Sequence, residues 1–189
     1  MDEPAAGLDR YSALYRVARA INATLDLDEV LHLVARNVTE SVGVRACAIR
    51  LSAPGGTLDL VAAHGLSADY LAKGEIRADA ASATEDALSG RSVVAQVDDP
   101  GAWQYPEAAR QEGIATSCTV PLLIDGAPIG ILRVYAALRR EFEPQDIEFL
   151  QALADLSALA IKNAQRHQAI REDFAFIQEF TFGIHPTDR

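Results

Sequence analysis

The chain is short of lysine, sulfur and tryptophan. Of its 17 basic residues only Lys73 and Lys162 are lysines, and there are two cysteines, one methionine and one tryptophan in 189 residues. No stretch reaches the roughly 18 consecutive apolar residues of a membrane-spanning helix. The start, Met1-Asp2-Glu3-Pro4, lacks the basic and apolar segments of a secretory signal, so the expected location is the cytoplasm. The 27 acidic residues outnumber the basic ones, for a net charge of −10. That balance argues against a nucleic-acid partner and an anionic membrane surface, both of which need a basic face. No Cys-x-x-Cys or metal-ligand cluster occurs. Cys47 and Cys118 sit in apolar strand patterns and read as small buried hydrophobes, or as a redox pair if their strands are neighbours.

What is present suits one domain with extensions: 49% of the residues are hydrophobic, enough for a sizeable core. Apolar residues recur at helical spacing over residues 8–24 and 27–42, with Asp26 or Asp28 as a cap before the second run and Gly43 as its stop. Strands are expected over 46–52, 58–63, 92–97, 115–124 and 128–135, with short helices over 68–73, 83–89 and 107–112. Asp125-Gly126 is a two-residue hairpin turn signal between the last two strands. Phe142-Glu143 allows a short edge piece. Pro144 and Asp146 then open a long helix whose stripe continues through His167, Arg171 and Phe174, past what the domain can cover. That pattern is expected of a helix that leaves its domain and pairs with a copy of itself.

The order and several segments of this chain resemble the GAF domain family. The segments are Leu27-Asp28-Glu29-Val30-Leu31, Val61-Ala62-Ala63-His64-Gly65-Leu66, Gly113-Ile114, Val120-Pro121-Leu122, Ile129-Gly130-Ile131-Leu132, and Phe142 spaced four residues before Asp146. The resemblance spans residues 14–165, leaving 1–13 as a helical extension and 166–189 as a helical extension and Phe-rich tail. It implies an α+β fold, with a central antiparallel sheet of five or six strands and helices on both faces. It also implies a small-molecule site on one face, under a lid here made by residues 70–88 and 100–114.

Candidate pocket residues are Tyr70, Trp103, Tyr105, Arg110, Thr116, Cys118 and Arg133. The lid aromatics suit closure over a planar ligand, or they fill the space beneath the lid with Leu71 and Leu88. Arg133 or Arg110 suits a phosphate, or is a solvated charge. For particular cofactors the resemblance offers little. Cyclic-nucleotide-binding members carry Asn-Lys, then Phe, three residues and Asp-Glu. Here the Asn-Lys is absent and Ile147 stands in place of the Glu, so Phe142 and Asp146 read as core anchor and helix cap. Haem needs an axial ligand, and His32, His64, His167 and His185 read as structural or exposed. The Cys-His pair that holds a bilin is absent from the lid. Some GAF-fold proteins reduce free methionine sulfoxide through accessible thiolates, which two strand cysteines do not suggest. No nucleophile elbow appears.

Four of the six phenylalanines, Phe174, Phe176, Phe180 and Phe182, crowd the C-terminal segment. They are expected to be buried against the dimer or domain, or to dock on a separate effector protein. The expected function is a non-enzymatic sensory or regulatory domain with an unidentified ligand, forming a homodimer through its first and last helices. A ligand-free dimerisation scaffold is the alternative, and a methionine sulfoxide reductase-like thiol enzyme a further one. No output domain is expected in the chain.

Overall fold

A computed structural model describes residues 3–23 and 26–182, with side chains over 10–23 and 26–167. Two helices come first, α1 (Glu3–Ala23) and α2 (Leu27–Val42). Strands β1 (Ala46–Ala53) and β2 (Thr57–His64) follow, then the short helices α3 (Ala68–Leu71) and α4 (Ser82–Leu88). The chain continues through β3 (Val93–Gln96), α5 (Pro106–Gln111), β4 (Thr116–Ile124), β5 (Ala127–Ala136) and α6 (Pro144–Phe182).

Local chemistry sets these boundaries. The Asp26 side chain accepts the Glu29 backbone N–H at 3.1 Å and so caps α2. Gly43, at φ 65°, ends that helix in the left-handed region. Asp125 and Gly126 both have positive φ, 52° and 82°. This is the type I′ geometry that matches strand twist, and it closes the β4–β5 hairpin at Ile124 opposite Ala127.

The sheet has five strands in the order β2-β1-β5-β4-β3, each pair antiparallel. Residues 142 and 143 form no sixth strand; Phe142 is buried instead, with the Arg140 guanidinium 4.6 Å from its ring centre. One sheet face is covered by α2 and α6, with α1 packed on both helices. Its core brings Val17, Leu31, Val34 and Leu153 against Ile49, Val120, Leu122 and Leu132, all fully buried. The other face is covered by α3, α4, α5 and their loops.

Asp146, the helix cap expected from the sequence, has a wider role. Its carboxylate accepts from the Glu143 backbone N–H at 3.3 Å, from Arg140 Nη2 at 3.0 Å and from Arg10 of α1. Arg140 also donates to the Val42 carbonyl at 3.1 Å. One buried carboxylate thus ties α1, the end of α2 and the start of α6 together. Beyond the core, α6 continues to Phe182. His167 is exposed. The side chains of Arg171, Phe174, Phe176, Phe180 and Phe182 lie outside the described residues.

Two irregularities shape the lid face. In β2 the register against β1 shifts between Ile49 and Arg50, leaving Val61 without a partner. Leu58 therefore packs on the lid side with Ile76 and Ile131, while Ala62, of the same strand parity, joins the helix-side core. In β5 a Cβ on Gly130 would lie 2.2 Å from the Arg50 carbonyl oxygen. Only glycine lets β5 approach β1 at the position that carries Arg50.

Candidate ligand-binding site

Strand alternation sends Ala48 and Arg50 of β1, and Ile131, Arg133 and Tyr135 of β5, to the lid face, where they floor a pocket. Its roof is Tyr70 from α3, Lys73 and Ile76 from the following loop, Thr84 from α4, and Trp103 to Tyr105 ahead of α5. The space left between floor and roof is ≈ 20 Å³, room for about one water molecule.

Three cations meet in this pocket, each held by neutral partners. Arg133 Nε donates to Thr119 Oγ1, directly across the β4–β5 ladder, at 2.7 Å, and its Nη2 donates to Thr84 Oγ1 at 2.9 Å. Arg50 is only 8% exposed and its Nη1 donates to the Leu58 carbonyl at 3.2 Å. Lys73 Nζ donates to the Tyr70 carbonyl at 3.0 Å and lies 3.7 Å from the centre of the Tyr70 ring. No Asp or Glu is among the residues lining the pocket. Burial, and then the charges of Arg50 and Arg133, push the Lys73 ammonium down to about 8. Burial likewise lowers the Arg50 guanidinium and raises the Tyr70 hydroxyl.

Aromatic rings complete the walls. Tyr70 meets Tyr135 edge to face with centroids 5.9 Å apart, and Trp103 leans on Tyr135 at 6.3 Å. Trp103 is fixed by an Nε1 hydrogen bond to the Gln96 carbonyl at 2.8 Å. The roof is pinned at both ends. Tyr105 Oη and Gln104 Nε2 each donate to the Glu75 carbonyl at 2.9 Å. The buried Glu112 carboxylate, just after α5, accepts from the Ser67 backbone N–H at 3.0 Å, from the Ser67 hydroxyl and from Arg45 at 3.5 Å.

Four of the seven residues singled out from sequence line this pocket: Tyr70, Trp103, Tyr105 and Arg133. Three do not. Arg110 is on the outer surface of α5, paired with Asp98 at 3.0 Å and with Glu107. Thr116 is buried at the other side of β4, where its hydroxyl donates to Gln96 Oε1 at 2.7 Å and accepts from the Arg140 backbone N–H at 3.3 Å. Cys118 faces the helices with Val120 and Leu122, so its neighbours Ser117 and Thr119 take the lid side.

The cysteines are also not adjacent to one another. Cys47 and Cys118 are both register partners of Val134 in β5, one on each side. Two ladder spacings of about 4.8 Å separate them, beyond the roughly 7 Å Cα separation a disulfide spans. Burial pushes the Cys47 thiol up, and burial followed by the Asp146 charge raises Cys118 to about 12. Arg50, Lys73 and Thr84 were not anticipated as pocket residues. The signal in the sequence was an arginine inside each of two apolar strands, Ala48-Ile49-Arg50-Leu51 and Ile131-Leu132-Arg133-Val134.

A family model described as "GAF domain" matches residues 24–162, most of the chain. The chain belongs to the GAF family. Solved structures agree in fold. The GAF domain of a phosphoenolpyruvate-protein phosphotransferase from Coxiella burnetii superposes with a TM-score of 0.73 at 20% identity, covering 86% of this chain and 98% of that one. Free methionine-R-sulfoxide reductase from Neisseria meningitidis, solved with its substrate, gives 0.71 at 21% identity, covering 86% and 93%. A phycocyanobilin-bound GAF domain from a cyanobacterial phytochrome gives 0.69 at 20%, covering 84% and 96%. A search of curated proteins found no match. GAF domains are typically sensory or regulatory, and one of these relatives is an enzyme on the same fold. Among the described residues of this GAF domain, no helix is long and apolar enough to cross a membrane, and no three His, Cys, Asp or Glu side chains cluster as a metal site would need.

Proposed function

We propose that this GAF domain is a non-enzymatic sensory module that binds a small molecule between the sheet and its lid. The observation that carries the reading is the convergence of Arg50 and Arg133 from the sheet and Lys73 from the roof, each on neutral partners, around one cavity. Burying charge without a counter-charge costs stability, and a bound ligand offsets that cost. The bilin and methionine sulfoxide relatives give the fold a record of small-molecule binding. The reading is non-enzymatic because both thiols lie on the helix side, buried and protonated at neutral pH.

Output runs through the terminal helices. Ligand binding shifts the lid and the sheet, and α1 and α6, tied through Asp146, carry the change to a second copy and to a separate effector protein. Tyr11 and Tyr15, one turn apart on α1, and Leu159 on α6 are exposed and supply an apolar surface for the homodimer. The acidic chain is directed at neither nucleic acid nor an anionic membrane, and its place of work is the cytoplasm. The alternative, a ligand-free dimerisation scaffold, draws on the ≈ 20 Å³ cavity, which Tyr70, Trp103 and Tyr105 nearly fill.

Native mass spectrometry of the purified protein separates the readings, with amide exchange of α1 and α6 before and after removal of bound compounds. The sensory reading expects a small molecule to co-purify or bind, and slower exchange in the lid and both helices with it. A dimer that binds nothing, with unchanged exchange, supports the scaffold and overturns sensing.

A further inference from the structure

We propose that the pocket takes a small organic or inorganic dianion, its negative oxygens held jointly by Arg50, Lys73 and Arg133; this rests on the ligand-sensing reading above. Three arguments lead there. The first is charge count. Arg50 and Arg133 each bring a guanidinium to the cavity, and no carboxylate lines it. The acidic groups nearest in effect are committed elsewhere or outside. Glu112 is occupied by Ser67 and Arg45, and Asp59 sits on the exposed side of β2. A dianion offsets the two guanidinium charges, and the Lys73 ammonium, charged below about pH 8, adds a third attraction.

The second argument is preorganisation. Thr119 and Thr84 hold the Arg133 fork by Nε and Nη2, leaving Nη1 uncommitted, and the Leu58 carbonyl holds Arg50 by Nη1, leaving Nε and Nη2. Lys73 spends one N–H on the Tyr70 carbonyl and keeps two. The remaining donors are charge-assisted and face a space of only ≈ 20 Å³, so the arginine forks are fixed beforehand while the roof that carries Tyr70, Lys73 and Trp103 has to lift to admit the anion. The third is scarcity. One of only two lysines in the chain stands in the roof of the pocket, against the Tyr70 ring. The aromatic walls of Tyr70, Trp103 and Tyr135 favour a flat or compact body behind the anionic group.

Lys73 makes binding proton-linked. With its ammonium near 8 in the free protein, an anion beside it stabilises the charged form. Affinity is then constant below that pH, falls above it, and binding there takes up a proton.

Trp103 is the single tryptophan and lines the site, so its emission reads occupancy directly. The test titrates the full chain with the dianions succinate and phthalate, with inorganic phosphate and the more highly charged pyrophosphate, and in parallel with the uncharged succinamide and phthalamide. Thermal unfolding serves as a second readout. The expectation is that at least one dianion shifts Trp103 emission and raises the unfolding temperature. Arg133→Gln should weaken that anion about tenfold or more, the size of one lost charge-assisted bond. Lys73→Gln should remove the proton uptake seen calorimetrically above the lysine's titration. If Arg133→Gln folds poorly, Arg133→Lys retains the charge and should bind between the two. A response to the uncharged compounds alone overturns the dianion while leaving ligand sensing in place. Silence to every compound overturns the dianion as well. Unchanged affinity in both Arg133→Gln and Lys73→Gln places any anion elsewhere and also overturns the proposal.

Discussion

Leu132 and Arg133 are adjacent in β5 and face opposite sides of the sheet. Leu132 is fully buried in one cluster with Ile49, Val120 and Leu153. Arg133 looks into a cavity shared with two other cations and held by hydroxyls. The helix side is built to lower the free energy of folding: its core is mostly apolar, its buried polar groups such as Asn37, Thr116 and Ser157 are hydrogen-bonded, its thiols are inert, and its acidic anchor Asp146 is held by Arg10, Arg140 and a backbone N–H. The lid side keeps charges together that the fold alone does not balance. The same antiparallel ladder supplies both, so the difference lies in which residues occupy alternate positions of β1, β4 and β5.

The largest expected effect comes from the helix side. Leu132→Ala should cost about 2–5 kcal/mol, a transfer term plus a cavity between sheet and α6, read from urea unfolding. Under 1 kcal/mol there would show that this layer is loosely packed, and the contrast between faces would fail. Next is Asp146→Asn, which keeps the shape and removes the charge shared by two arginines. Both arginines are partly exposed, so the expected loss is about 1–3 kcal/mol. Amide protection at the start of α6 and along α1 should drop together, and a loss confined to α6 would break the claim that the carboxylate couples the helices. Cys118→Ala should cost about 1 kcal/mol, the size of a small buried deletion. In the native wild type neither Cys47 nor Cys118 should react with an aqueous thiol reagent until the chain unfolds. Prompt labelling of either would return the thiol-enzyme reading to consideration.

The sequence made the local devices legible because each is a residue with one strong conformational consequence. Asp125-Gly126 could hardly be other than a type I′ turn, and Asp26 and Gly43 bracket α2 as their chemistry requires. The site was half legible. Lid aromatics stand out in a chain with one tryptophan. β4 is buried on both faces for its first seven residues; with no polar side, alternation carries no sign, and the strand's sequence cannot reveal that Thr116 and Cys118 face away from the pocket. Arg50, Lys73 and Thr84 come from three separate elements, and nothing short of the register of β1 on β5 and the fold of the lid brings them to Arg133. Arg110, unlike Arg133, lies on the exposed surface of a helix with Asp98 and Glu107 beside it.

The most direct test of the two-faced account is thermal unfolding of Lys73→Met against the wild type, with and without pyrophosphate, across pH. In the folded protein Lys73 titrates near 8, below its ordinary 10.5. The unfolded chain therefore binds the extra proton between those values, and the penalty is complete below pH 8 and gone above 10.5. Without anion, Lys73→Met should melt higher than wild type at neutral pH, the gap should close as pH rises through this window, and pyrophosphate should raise the wild type more than the variant. A variant less stable than wild type at neutral pH, with the same response to pyrophosphate, would show that Lys73 serves the fold and would contradict the claim.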